Sequence, residues 1–296
     1  MKALIASIAL AVVSTTTLTQ QLTAIIAKTP ATVGVAAVDL KSGSLIAIRG
    51  DERFPMASVF KVPVALTFLR QVDAGKFHLD EKVTIPVSIF APGFSPIRDH
   101  AHGQPVTMTY GEVLAAMLRD SDNTAADFLL PKVGGGAAVT KRMRELGIRA
   151  IRVDRTEREM AYDLHKLGTA RFTADPRDTA TPNAAIELLR IIERGGEGLS
   201  PASHALVIKL MSDTTTGPKR IKAGLPPGTL FAHKTGTMPG GANDIGILMK
   251  ERILIAVFTK ASTTEAMEPR EGAIAELARA VYAAMGNDER PPAGVR

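Results

Sequence analysis

Phe54-Pro-Met-Ala-Ser-Val-Phe-Lys-Val-Pro-Val-Ala-Leu-Thr-Phe-Leu69 is the stretch on which the reading of this chain turns. Phe60, Val64, Leu66, Phe68, Leu69 and Val72 leave no wide polar face, so the segment reads as a helix buried in a core. Pro63 falls in the first turn, where a missing N–H does no harm, and Gly75 is a stop. Ser58 then lies at the N-terminus of this helix, with Lys61 one turn on and on the same face. A serine hydroxyl becomes a useful nucleophile when a neighbour takes its proton, and Lys61 is within reach. N–H groups at a helix start can hold negative charge on a substrate oxygen. Ser-x-x-Lys is short enough to arise by chance, with Ser58 merely a cap and Lys61 a surface lysine, so its meaning depends on the rest of the chain.

Working outward, 296 residues can bury a large core and divide into two lobes. The net charge of +6 is spread along the chain and aromatics are few, which reads as a solvated basic surface and not a nucleic-acid site. The absence of cysteine excludes disulfides, thiol catalysis and cysteine-ligated metals. Met1-Lys2 followed by an apolar run to Val13 reads as a signal peptide over residues 1–17, too short for a stable membrane anchor. The exported protein is expected in the periplasm or outside a bacterial cell.

Gln20 to Lys28 reads as a helix. Thr32 to Asp39 and Leu45 to Arg49 read as a hairpin. Phe77 to Thr107 is loop-rich, with Pro86, Pro92, Pro96 and Pro105. Thr109-Tyr-Gly-Glu112 is a capping box opening a helix to about Arg119. Helices are expected at Ala125 to Leu130, Ala137 to Leu146, Asn183 to Arg194, Pro201 to Met211 and Glu265 to Met285. Residues 151–182 lose regularity and read as one long functional loop. Three strands follow at Thr229 to Thr235, Asp244 to Met249 and Ile253 to Thr259. The expected fold is α/β (α+β): an antiparallel sheet of about five strands flanked by the N- and C-terminal helices, plus a helical lobe. The sheet domain takes 18–53 and 200–286, the helical domain 54–199, and 287–296 is a tail. A groove between the lobes is the expected ligand site.

Two further motifs follow in order: Ser121-Asp-Asn123 at a break between helices, and Lys234-Thr-Gly236 on a strand, with Thr237 next. Together with Ser58-x-x-Lys61, this set resembles that of the class A serine β-lactamases and penicillin-binding enzymes. Arg155-x-Glu157, Asp175-Pro-Arg-Asp-Thr179 and Thr216-Gly-x-x-Arg-Ile-x-Ala-Gly-Leu-Pro226 extend the resemblance to a class A serine β-lactamase over nearly the whole chain.

The resemblance implies hydrolysis of penicillins and cephalosporins through an acyl-serine, conferring resistance, with no cofactor and no metal. Ser58 would attack the lactam carbonyl, with the N–H groups of Ser58 and Thr237 holding the oxyanion. Either Lys61, or Glu157 through a water, would take the serine proton. Ser121 would pass a proton to the leaving nitrogen, polarised by Lys234. Lys234, Thr235, Gly236 and Thr237 would form the strand that receives the substrate carboxylate, with Arg220 adding a cation. Asn123 would hold the acylamide and Phe94 would gate the cleft. Glu157 would activate the deacylating water, and Arg155 would pair with Asp178.

Three departures stand out. Ala161 replaces an asparagine that helps position the deacylating water. Tyr162 to Phe172 looks like an insertion in the long loop. Asp127 replaces an asparagine, as in some extended-spectrum branches of the family. Rivals are a slow-deacylating DD-peptidase-like enzyme and a β-lactam-sequestering receptor. The protein is expected to act as a monomer. His100 and His102 lack partners at metal-ligand spacing, His233 reads as a structural histidine, and Gly134-Gly-Gly136 as a connector.

Overall fold

A computed structural model of the chain describes residues 17–261, 263 and 267–286. The expected signal sequence, apart from residue 17, and the expected tail lie outside the described residues. Helix α1 covers 17–27. Strands β1 (Thr32–Asp39) and β2 (Leu45–Ile48) form the expected hairpin, and β3 (Phe54–Pro55) leads into a 3-10 turn at Ala57–Phe60 and helix α2 (Lys61–Asp73). Then come β4 (Lys82–Ile85), a 3-10 turn at Val87–Ile89, α3 (Pro96–His100), β5 (Val106–Thr109), α4 (Tyr110–Leu118), α5 (Asn123–Lys132), α6 (Gly135–Glu145) and α7 (Glu157–Ala174). The chain closes with β6 (Thr179–Ala180), α8 (Pro182–Glu193), α9 (Pro201–Ser212), α10 (Ile221–Gly224), β7 (Phe231–Met238), β8 (Gly241–Leu248), β9 (Ile253–Lys260) and α11 (Glu268–Met285). Among the described residues, no helix is long and apolar enough to cross a membrane.

The main sheet is antiparallel, in the order β2-β1-β9-β8-β7. Its central strand, β9, is apolar from Ile253 to Phe258 because both faces are covered. Ile253, Ile255 and Val257 pack toward α1 and α11, against Leu22, Ile274, Leu277 and Val281. Leu254, Ala256 and Phe258 alternate with them and join the core shared with α2, α4, α5 and α8. α2 is buried along most of its length, from Lys61 to Leu69, so its first turn is held by the surrounding core.

Residues 151–182 are not one loop. Their centre is α7, which contains the whole of the expected insertion. It opens on a capping box, with Thr156 accepting from the Glu159 N–H and Glu159 accepting from the Thr156 N–H. At Gly168 φ 73° and ψ 165° break the helix into two parts, a conformation nearly confined to glycine. The stretch Phe77 to Thr107 is also less irregular than expected, because β4 pairs with β5. Strands β7 and β8 reach one another through Met238 opposite Gly241, several residues beyond their expected ends.

Candidate active site

Two small pairings bring the distant parts of the site together. β3 pairs with β6, and the Met56 N–H donates to the Asp178 carbonyl at 2.9 Å. The turn carrying Ser58 is thereby tied to the segment that follows α7. On the other side Asn243 of β8 donates through Nδ2 to the carbonyls of Pro55 and Met56. β7 passes so close that a Cβ on Gly236 would lie 2.3 Å from the Met56 carbonyl oxygen, so glycine is needed there. Strand β7 therefore runs directly alongside the Ser58 turn.

Three of the six described non-glycine residues with positive φ lie here, the others being Arg49, His102 and Arg252. Ala57 (φ 44°), Ser121 (φ 63°) and Asp178 (φ 52°) are all non-glycine residues in the left-handed region. Such conformations cost about 1–3 kcal/mol each and persist where the surroundings enforce them. At Ser121 the enforcing residue is Asp122, the N-cap of α5. Its buried carboxylate accepts from the N–H groups of Ile97 and Ala125 and from the Ser95 hydroxyl. Burial pushes the Asp122 carboxyl up from its ordinary pKa, and these hydrogen bonds oppose the shift.

Lys61 is fully buried and spends all three of its N–H donors. They reach the Ser121 carbonyl and Asn123 Oδ1, each at 2.7 Å, and Glu157 Oε1 at 2.9 Å. Ser58 Oγ donates to the same Glu157 oxygen at 3.3 Å. Ser58, Lys61, Ser121, Asn123 and Glu157, predicted from three separate parts of the sequence, thus form one connected cluster.

Lys234 is also fully buried, and donates to Ser121 Oγ at 2.8 Å and to the Thr235 carbonyl at 3.0 Å. Burial lowers its pKa well below the ordinary lysine value, and the nearby Lys61 cation adds to this; Glu157 and Asp244 oppose it. Thr235 and Thr237 face the cavity, while Arg220 does not. Its guanidinium runs beneath β7, bonding to the carbonyls of Gly236 and Asn243, to Thr237 Oγ1 at 2.7 Å and to Glu271 at 3.1 Å. Because Thr237 accepts from Arg220, its own hydroxyl proton is left to donate to a ligand.

Glu157 is placed by the start of α7. Asp127 of α5 accepts from the Glu157 N–H at 2.6 Å and from the Arg158 N–H at 3.1 Å. Burial raises the Asp127 pKa to about 6, with the two backbone hydrogen bonds opposing. Arg155 meets Asp178 at 2.6 Å as expected. It also pairs with Asp163 and Asp175, and Arg177 bridges those two aspartates. Arg177 lies within the Asp175-to-Thr179 motif of the sequence, whereas nothing in the spacing of Asp163 marks it.

A cavity of about 410 Å3 opens over this cluster. Ser58, Ser121, Asn123, Glu157, Thr235 and Thr237 form its polar side, and Phe94 stands at the edge, exposed. Met160, Ala161, Leu164 and Phe172 of α7, with Met238, supply an apolar wall. Thr169 packs against Gly240 in the β7–β8 turn, so the second part of α7 reaches across to the sheet. This wall was invisible as such in the sequence, where its residues read as loop.

The sequence matches the β-lactamase enzyme family over residues 17–285. It is 34% identical to the extended-spectrum β-lactamase PER-1 of Pseudomonas aeruginosa, over 90% of this chain and 86% of that protein. It is 35% identical to the β-lactamase CTX-M-97 of Escherichia coli, over 88% of this chain and 87% of the relative. Among solved structures, a β-lactamase from Chitinophaga pinensis superposes with a TM-score of 0.82 at 35% identity, covering 90% of this chain and 99% of that one. An ancestral class A β-lactamase superposes at 0.80 with 37% identity, again over 90% and 99%. Matches of this extent, on a fold that gathers the three motifs around one cavity, decide membership: the chain belongs to the β-lactamase enzyme family, among its class A serine enzymes.

Proposed function

We propose that the cavity takes a β-lactam and that Ser58 opens its ring through an acyl-serine, which water then hydrolyses. The observation that carries this reading is the position of Glu157, whose Oε1 touches both Lys61 and Ser58. In acylation, Ser58 Oγ bonds to the lactam carbonyl carbon and gives its proton to Glu157, directly or through water. All three Lys61 N–H groups are already donating, which favours Glu157 over Lys61 as acceptor. The N–H groups of Ser58 and Thr237 hold the oxyanion. When the C–N bond breaks, the ring nitrogen takes the Ser121 hydroxyl proton, and Lys234 resupplies it across 2.8 Å.

Before deacylation Glu157 releases the proton taken from Ser58 to solvent, and Lys234 takes one up; Glu157 then takes a proton from water as the oxygen attacks the ester and passes it to Ser58 Oγ as the ester C–O bond breaks. Thr235, Thr237 and Lys234 receive the substrate carboxylate. Arg220 acts from behind the strand by orienting Thr237. Asn123 holds the acylamide and Phe94 borders the mouth. A slow-deacylating penicillin-binding enzyme or a receptor has no need of a carboxylate placed to activate the deacylating water, and neither is favoured. We further infer export to the periplasm or cell exterior, on the strength of the apolar leader, and action as a monomer.

The test is hydrolysis of a penicillin and a cephalosporin by the native protein and by Ser58→Ala. Sustained native turnover, with a loss of roughly 10³-fold or more in the variant, supports the reading. Equal rates would sink it.

A further inference from the structure

Glu157 needs accurate placement, yet the position that would carry a water-holding amide is Ala161, which offers no hydrogen bond from its side chain. The placement must then come from the backbone of the first turn of α7. Two of its anchors have been described: Asp127 at the N–H groups of 157 and 158, and the Thr156–Glu159 capping box. A third crosses the rim of the cavity. Arg158 Nη2 donates to the carbonyls of Ser88, at 2.7 Å, and Phe90, at 2.8 Å.

Those carbonyls begin the wall that runs to Phe94, and the rest of the wall is fixed independently. The Ala91 N–H donates to Thr124 Oγ1, and Arg98 donates to the carbonyls of Ala91 and Gly93. Asn123 donates to the carbonyls of Pro92 and Phe94. The wall is therefore a firm post, and Arg158 ties the helix turn bearing Glu157 to it. Charge-assisted bonds to two carbonyls from a single nitrogen are well suited to this.

We propose that Arg158 is a positioning residue for deacylation: by strapping the first turn of α7 to the 88–90 wall, it holds Glu157 in register with Ser58. The inference rests on the reading of Glu157 as the base that activates water. Acylation depends less on the strap, because Ser58 donates directly to the Glu157 oxygen that Lys61 also holds, whereas deacylation further requires a water aligned between Glu157 and the ester. Arg158 is itself exposed and outside the core, so its removal leaves the fold's main packing untouched.

The test compares the native protein with Arg158→Ala, Arg158→Lys and Glu157→Gln. Rapid-quench intact mass spectrometry with a cephalosporin gives acylation and deacylation rates separately. Loss of the strap is expected to slow deacylation in Arg158→Ala by about tenfold, with acylation within about twofold of native and acyl-enzyme accumulating. Lysine, whose single nitrogen also carries several donors, is expected to restore most of the rate. Equal loss in both steps, or no loss in either, would overturn the inference, and so would failure of lysine to do better than alanine. If Glu157→Gln blocks deacylation while Arg158→Ala does not slow it, the strap alone is wrong. If Glu157→Gln deacylates normally, the reading of Glu157 fails and the strap with it.

Discussion

Lys61 Nζ and Glu157 Oε1 lie 2.9 Å apart, and the Ser58 hydroxyl donates to the same oxygen. One carboxylate oxygen thus faces both the nucleophile and the buried ammonium. A base in that position can take the proton from serine in one half-reaction and from water in the next. Substituting Glu157→Gln keeps the size and removes the base. It is expected to slow both acylation and deacylation and to lower kcat by about 10²–10⁴-fold, read by stopped-flow and intact mass. A variant that turns over at the native rate would remove Glu157 from the mechanism.

Burial and Lys61 depress the pKa of Lys234, so it loses its proton at lower pH than an ordinary lysine. A substrate carboxylate binds best to the protonated form. KM for a penicillin should therefore rise with pH as Lys234 deprotonates, while KM for the corresponding methyl ester should not. In Lys234→Arg the cation persists at all working pH, and the rise is expected to disappear. Parallel KM–pH curves for acid and ester would contradict this assignment.

Asp127 supplies a test through stability. Its carboxyl has a pKa of about 6 in the folded protein, against an ordinary 3.8. Between these values the folded state holds a proton that the unfolded state has released, so this group's contribution falls as pH rises from about 4 to about 6. The cost at neutral pH is roughly 3 kcal/mol. Asp127→Asn does not ionise. Relative to the native protein, its urea midpoint should fall less between those pH values. Because the amide oxygen cannot accept as well from both the Glu157 and Arg158 N–H groups, deacylation should slow at neutral pH. An unchanged pH slope of stability would refute the argument.

Arg220 lies behind β7 with Glu271, and its hydrogen bond to Thr237 fixes which way that hydroxyl donates. Arg220→Leu is expected to raise KM for carboxylate-bearing substrates by about tenfold with a smaller effect on kcat. Leaving Glu271 unpaired should also cost about 3 kcal/mol of stability. Thr237→Ser, which keeps the hydroxyl, should stay near native. A change in kcat alone would place Arg220 elsewhere in the reaction.

Much of this was legible in the sequence because it rests on local chemistry. The apolar run after Ser58, the hairpin at β1–β2 and the continuous apolar β9 follow from burial on defined faces. The Arg155–Asp178 pair was also expected. The site motifs were legible as residues, but their convergence depends on long-range contacts such as Met56 to Asp178 and Asn243 to Met56. α7 was missed because, of its side chains, only Met160 and Phe172 are buried, which leaves a faint apolar stripe. The overlooked local signal was Thr156-x-x-Glu159, a capping box of the same kind that marked Thr109. β8 begins with Gly241-Ala-Asn, poor strand formers held in place by pairing with β7 and β9. That Arg220 runs under β7, and not into the cavity, is a matter of side-chain path that residue order does not encode.

The central claim is that Ser58 is acylated and that Glu157 then releases it quickly despite Ala161. The most direct measurement mixes the native protein with a chromogenic cephalosporin and follows product and intact mass together. Many turnovers per molecule are expected, with the steady-state mass mostly that of free protein and any adduct located on Ser58. A single stoichiometric burst that leaves a stable adduct on Ser58, or turnover that continues after Ser58→Ala, would contradict it.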